Sequence, residues 1–359
     1  MTITSPGTSV HDLLVRAVNE KASDIFITAG SPILLKKDGK IEAADEFRMM
    51  PKDTALIIEE IFRMSGSQSY DHYLKEGDCD FSFSLPGVGR FRINTFRQRN
   101  SMAAVIRVVQ LSLSDTDQLG IPQPVLELYR KTKGLILVTG PAGSGKSTTL
   151  ATLINLINNR RNCHILTLED PIEYLHNHKM SIVNQREIEN DTLSYGKALR
   201  AALRQSPDVI LVGEMRDLET MSIALTAAET GHLVLSTLHT VGAAKTIDRV
   251  IDVFPPGQQQ QVRIQLSTVL QAIISQQLLS TPNRGGRTAV FEVMIVNPAI
   301  RSLIRESKTH QIDTLIHAGA AEGMQSMDYS LAEAVKAGTV SREDAFTFCV
   351  NPDVLSKYV

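Results

Sequence analysis

The stretch "LILVTGPAGSGKSTTLATLINLI" (Leu135 to Ile157) decides the fold of this chain. Its first five residues, Leu135 to Thr139, are apolar and rich in branched side chains, and they read as a buried strand. Past Gly140-Pro141-Ala142-Gly143-Ser144-Gly145-Lys146-Ser147 a helical pattern begins, with Leu150, Leu153, Ile154 and Ile157 on one face. The spacing is G-x-x-x-x-G-K-S. Glycines at those places let consecutive backbone N–H groups turn toward a β-phosphate, while Lys146 reaches the β and γ oxygens and Ser147 ligates Mg²⁺. The expected ligand is ATP with Mg²⁺, contacted by Gly140, Ala142, Gly143, Ser144, Gly145, Lys146, Ser147 and Thr148.

Working outward, 359 residues suffice for two domains, and 43% hydrophobic with 21% charged residues is ordinary for a globular chain. A formal net charge of −2 lacks the basic excess of a protein whose main track is nucleic acid. Cys79, Cys163 and Cys349 are odd in number and far apart, so neither a disulfide framework nor a zinc site is indicated. The N-terminal residues carry no basic-then-apolar signal pattern, and no apolar run approaches the ~20 residues that span a bilayer. The expectation is a cytoplasmic protein that meets a membrane only through a partner.

Before the cradle, residues 8–110 suggest an α+β domain. Helices are expected around Val10–Asn19 and Thr54–Phe62, a strand at Asp24–Thr28, a hairpin turn at Lys37-Asp38-Gly39-Lys40, and strands at Cys79–Ser84, Arg90–Phe96 and Ala103–Val108. "LSLSDTDQLGIPQP" (Leu111–Pro124) is polar and broken by Gly and Pro, which marks a linker with a boundary near Ser114. After the cradle, strands at Ile165–Leu168, Val209–Val212 and Leu233–Thr237 alternate with helices at Tyr195–Arg204 and Glu219–Glu229. Such alternation predicts an α/β fold with a mostly parallel, helix-covered sheet. The division is 1–113 for the first domain, 114–133 for the linker and a connecting helix, 134–296 for the core, and 297–359 for a helical tail.

Hydrolysis needs more than a cradle. "SPDVILVGEMRD" (Ser206–Asp217) offers a buried strand ending in Gly213-Glu214, which places the Glu214 carboxylate at the strand's C-terminal edge, where it can orient an attacking water. The usual pattern has an Asp directly after the apolar run, and here Gly213 takes that place. The other acid is expected in "TLEDPIEY" (Thr167–Tyr174), where Glu169-Asp170 end a strand, although Asp-Pro after a strand is also a common turn. In "GHLVLSTLHT" (Gly231–Thr240) His232 enters a strand and His239 follows it; each reads either as a structural histidine or as a donor, and His239 shares the edge with Lys146 and Glu214. The first domain carries Arg90, Arg92, Arg97, Arg99 and Arg107 on its expected strands. They form either a solvated sheet face or a source of transition-state arginines for a neighbouring subunit.

Four ordered segments, the P-loop Gly140–Thr148, "LEDPIEY", "DVILVGEMRD" and "GHLVLSTLHT", resemble the motifs of the secretion ATPase superfamily. "AIRSLIRE" (Ala299–Glu306) resembles the AIRNLIRE signature of its type IV pilus retraction branch, with Ser302 in place of Asn. Assembly and secretion members are longer and carry a tetracysteine element, which this chain lacks. The resemblance implies a PAS-like N-terminal domain joined to a RecA-like P-loop core, in a homohexameric ring with ATP between subunits. It implies that Glu214 and Glu169 serve water activation and Mg²⁺ positioning, Glu169 together with Ser147 at the metal, and that His232 and His239 lie near the nucleotide. It also implies that Arg92 and Arg107 reach a neighbouring subunit. The task implied is pilus retraction, acting on an inner-membrane platform protein and on pilin indirectly. Two other readings stand beside it: an accessory retraction ATPase that works only with a main motor, and a RecA-like nucleic-acid motor, which the acidic balance disfavours.

Overall fold

A computed structural model describes residues 9–37, 39–66, 70–109, 120–282 and 286–359. The chain separates into two compact units, one of Met1–Ser112 with Glu173–Leu175, the other of Leu113–Ile172 with His176–Val359. The expected linker boundary near Ser114 and the Asp38 turn residue lie outside the described residues.

The first unit is a six-stranded antiparallel sheet under helices. Helix α1 (Val10–Asn19) begins at Ser9, whose hydroxyl accepts from the Asp12 N–H while Asp12 reaches back to the Ser9 N–H, a reciprocal cap. Its inward face, Val10, Leu13, Leu14 and Ala17, recurs at helical spacing. Helix α2 (Pro51–Ser65) starts with proline and stops at Gly66, a left-handed position at φ 66°. A short α3 (Tyr70–Glu76) adds Tyr73 to the same core, an element the sequence reading omits. The sheet order is β3-β2-β1-β6-β5-β4, for β1 (Asp24–Ile27), β2 (Leu34–Lys37), β3 (Lys40–Ala43), β4 (Asp78–Leu85), β5 (Gly89–Gln98) and β6 (Ser101–Val109). Alternation sends Phe91 and Ile93 into the core and leaves Arg92 on the opposite face.

The second unit has a seven-stranded sheet in the order β13-β12-β7-β11-β10-β8-β9. Its strands are β7 (Gly134–Thr139), β8 (His164–Glu169), β9 (Ile182–Glu187), β10 (Val209–Val212), β11 (Leu233–Leu238), β12 (Leu270–Ser280) and β13 (Arg287–Ile295). All neighbours are parallel except β12 and β13. Strand β7 is buried throughout, with Leu135 and Leu137 facing one core and Ile136 and Val138 the other. Two-sided burial explains why its sequence reads as a continuous apolar run. One face carries α5 (Lys146–Arg160) and α4 (Gln123–Leu126). The other carries α6 (Tyr195–Ala202), α7 (Leu218–Glu229), α8 (Ala243–Asp252), α9 (Pro256–Val269), α10 (Pro298–Arg305) and α11 (Ile312–Ala318). In the tail α12 (Met327–Lys336), α13 (Arg342–Phe348) and α14 (Pro352–Leu355) bury Leu331, Ala345 and Leu355 beside Leu279 and Val290. Strand β12 is not legible as a strand, because it follows α9 without a loop and contains Gln276-Gln277.

Helix α10 carries two arginines, Arg301 and Arg305, that the structure treats differently. Ile300 and Ile304 are buried, Leu303 is half-buried, and Arg305 is exposed, but Arg301 is not free surface charge. Its guanidinium donates to the carbonyls of Ser267 and Thr268 at the end of α9, satisfying groups the helix leaves unpaired. Replacing Arg301 would therefore loosen α9, and only Arg305 remains a surface probe of this helix.

Glu292, on β13 and 5% exposed, accepts the Ala243 N–H at the start of α8. Burial raises its carboxyl from 4.5 to about 7; Asp313 and Asp328 push the same way, while the N–H groups of Ala243 and Met327 oppose them. Between those values folded Glu292 keeps a proton that the unfolded chain has lost, so stability falls as pH rises from about 4.5 through 7. At roughly 1.4 kcal/mol per unit, this group should account for on the order of 3 kcal/mol of loss between pH 4.5 and 8. Denaturant unfolding at stepped pH should show that slope flattened in Glu292→Gln, and an unchanged slope would place the titration elsewhere.

Candidate nucleotide and hydrolysis site

The P-loop connects β7 to α5. Gly140, Gly143 and Gly145 have φ of 142°, 75° and 87°, all positive and costly for other residues. Gly145 caps α5, whose first intrahelical bond runs from the Thr149 N–H to the Gly145 carbonyl, so the positive end of the helix opens on the loop, the kind of terminus that attracts an anion. Lys146 is 8% exposed and its Nζ donates to the carbonyls of Gly140 and Pro141, both at 2.9 Å. The Ser144 hydroxyl is buried and has no hydrogen-bond partner among the described residues. An orphaned donor inside a ring of amides fits an oxygen-rich ligand. Beside the loop lies a cavity of about 370 Å³ lined by Gly143, Gly145 and Thr148 and by Ile121, Leu278 and Arg287, which offers an apolar wall and one cation to a nucleoside.

Parallel register brings the other candidates to the same edge. Thr139 pairs with Leu238, and Val212 pairs with both Ser236 and Leu168, so the P-loop, His239, Glu214 and Glu169 leave neighbouring strands at their C-terminal ends. Glu214 is held on both oxygens, by Arg216 at Oε1 and by His239 Nε2, 3.3 Å from Oε2. Glu169 Oε1 accepts from Thr167 Oγ1 at 2.6 Å and from Gln185 Nε2 at 3.0 Å. Arg216 and Gln185 were not singled out in the sequence; for Arg216 the signal available was its position two residues after Glu214.

The glycine in place of an acid at position 213 has a packing cause. A Cβ there would lie 2.7 Å from the Tyr195 hydroxyl and 3.2 Å from the Leu168 carbonyl. Tyr195 is itself held neutral by burial and by the surrounding Asp170, Glu214 and Glu169. Among the described residues no group of three or more His, Cys, Asp or Glu side chains could hold a metal ion.

Two histidines separate here. His239 joins Glu214, whereas His232 precedes β11 and its Nδ1 lies 3.0 Å from the Ala227 carbonyl. A six-residue strand places His232 ~20 Å from the phosphate edge of its own chain, so the two histidines are not brought together. Arg92 and Arg107 do meet, as directly paired residues of β5 and β6, and Arg107 Nε donates to Asp24 Oδ1 at 3.0 Å. Arg90 is instead bonded to Ser82 and Ser84, and Arg97 to the Leu74 carbonyl.

Residues 7–346 match the family described as Type II/IV secretion system protein. The chain belongs to that family. Within it, the chain is 46% identical to the type IV pilus retraction ATPase PilT of Pseudomonas aeruginosa over 336 residues, covering 94% of this chain and 96% of that one. It is 50% identical to a twitching motility protein of Neisseria gonorrhoeae over 302 residues, 83% and 81% of the two chains. A crystal structure of the pilus retraction motor PilT with bound ADP superposes with a TM-score of 0.88 at 48% identity, covering 98% of this chain and 99% of that one. The mixed α/β architecture above is that of these secretion family structures. Among the described residues no helix is long and apolar enough to cross a membrane.

Proposed function

We propose that this protein is an ATP-hydrolysing motor of type IV pilus retraction, and the observation that carries the reading is the row of P-loop, His239, Glu214 and Glu169 on adjacent strand ends. Related chains named as retraction ATPases, and the ADP in a related structure, support both the reaction and the task.

The chemistry follows from charge and reach. The α5 N-terminus and loop amides bind the β-phosphate, and Lys146 leaves the Gly140 and Pro141 carbonyls to meet β and γ oxygens. Glu214 orients a water toward the γ-phosphorus and accepts its proton as the P–O bond to ADP breaks, releasing phosphate. Arg216 and His239 fix the carboxylate's direction by engaging both of its oxygens. Ser147, with Glu169 behind it, would hold Mg²⁺, which when bound neutralises charge between the β- and γ-phosphates.

Arg92 and Arg107 supply positive charge to the nucleotide of a neighbouring copy in a homohexamer. Their pairing across β5 and β6 presents both from one face of the first unit's sheet. Mixing Lys146→Ala chains with Arg107→Ala chains, each inactive alone, should recover a measurable part of ATPase activity, because some interfaces combine an intact cradle with an intact arginine. Absence of recovery at every ratio, with mixed rings demonstrated by mass, would assign the arginines a role within their own chain. The ring acts at the cytoplasmic face of the membrane, through a platform protein, and pilin is moved indirectly. DNA should leave turnover unchanged, and stimulation by it would favour a nucleic-acid motor.

A further inference from the structure

A residue outside every motif braces the nucleotide loop. Gln276 lies in β12, which runs parallel to β7 with Ser275 opposite Thr139, so Gln276 sits just past the last paired position and against the P-loop. It is 3% exposed. Its Oε1 accepts a hydrogen bond from Thr149 Oγ1 at 2.8 Å, in the first turn of α5, and this bond fixes which way the amide points. The amide nitrogen then falls on Gly145, where an added Cβ would lie 2.8 Å from Nε2. The backbone carbonyl of the same residue covers Gly140, where an added Cβ would lie only 2.1 Å from it. One residue thus touches the first glycine, the last glycine and the helix start. From the opposite face of β12, Ser275 Oγ accepts the Gly242 N–H in the loop that follows His239, which anchors the strand at this point.

We propose that Gln276 is a positioning residue of the ATP site, a clamp that holds Gly140, Gly145 and Thr149 at the spacing a polyphosphate requires. The physical need is plain. Three loop residues occupy left-handed backbone conformations, and a loop so rich in glycine would otherwise lose conformational freedom at the moment of binding. The proposal rests on the nucleotide reading of the P-loop, and the test separates the two.

Gln276→Leu alone leaves the buried Thr149 hydroxyl without an acceptor, so the informative variant is Gln276→Leu with Thr149→Val, which removes both partners at similar volume. The probe is a fluorescent ADP derivative titrated into the full chain, with ATPase kcat and KM measured in parallel. The expected result is a double variant that melts within about 4 °C of the parent, a shift worth roughly 1 kcal/mol, yet binds the derivative at least tenfold more weakly. Affinity and turnover like the parent's would reduce the contact to an ordinary core hydrogen bond and overturn the proposal. Thr149→Ser and Thr149→Val give a second route: the hydroxyl-bearing variant should keep affinity and the isosteric one should lose it, and equal affinities would again overturn the clamp. Lys146→Ala is the control. If it too binds like the parent, the nucleotide reading itself has failed, whereas weak binding by Lys146→Ala with normal binding by the Gln276 variants condemns the clamp alone.

Discussion

Lys146→Ala should lose ATP turnover by at least 10²-fold while the chain stays folded. In the proposed function the ammonium meets the β and γ oxygens, and loss of a preorganised contact to developing charge commonly costs about 3–4 kcal/mol in the transition state. Folding should survive because the partners left behind include the loop carbonyls of Gly140 and Pro141, beside exposed residues that admit water. Phosphate release and a thermal melt on the same preparation make the comparison. Parent-like turnover would remove the cradle from the mechanism, and a collapsed melt would show that Lys146 is chiefly structural.

The second large effect is expected at Glu214. Glu214→Gln keeps the side chain's shape and can still accept from Arg216, but it cannot take a proton from water, so hydrolysis should slow by 10²–10⁴-fold while ATP affinity changes little. Trapped, ATP-loaded protein should accumulate and be visible by nucleotide extraction. The comparison with Glu169→Gln is decisive, since Glu169 is engaged by Thr167 and Gln185 and is expected to act on the metal side. Normal turnover in Glu214→Gln with loss in Glu169→Gln would exchange the two roles.

What the sequence disclosed was local. The P-loop, the strand ends at Glu169 and Gly213-Glu214, and the helical tail are each written in a contiguous string, and parallel strand order then aligns them. What it hid depends on packing between distant segments. Thr149 and Gln276 are 127 residues apart and meet only because β12 lies beside β7. The reason for Gly213 is the Tyr195 hydroxyl, which nothing in either short stretch announces. Arg301 and Arg305 look alike at helical spacing, yet the end of α9 engages only the first. His232 stands at the entry of a parallel strand, the end of the sheet away from the P-loop of the same chain, so spacing within its own stretch says nothing of a partner there.

The most direct measurement of the central claim is pilus retraction, followed in single cells by fluorescent labelling, in a pilated strain deleted for all its retraction ATPases and supplied with this chain alone. The account predicts that the parent chain restores retraction and that Lys146→Ala and Glu214→Gln, expressed at equal level, do not. Failure of the parent chain to retract pili while it hydrolyses ATP, or restoration only when a second retraction ATPase is returned, would contradict it.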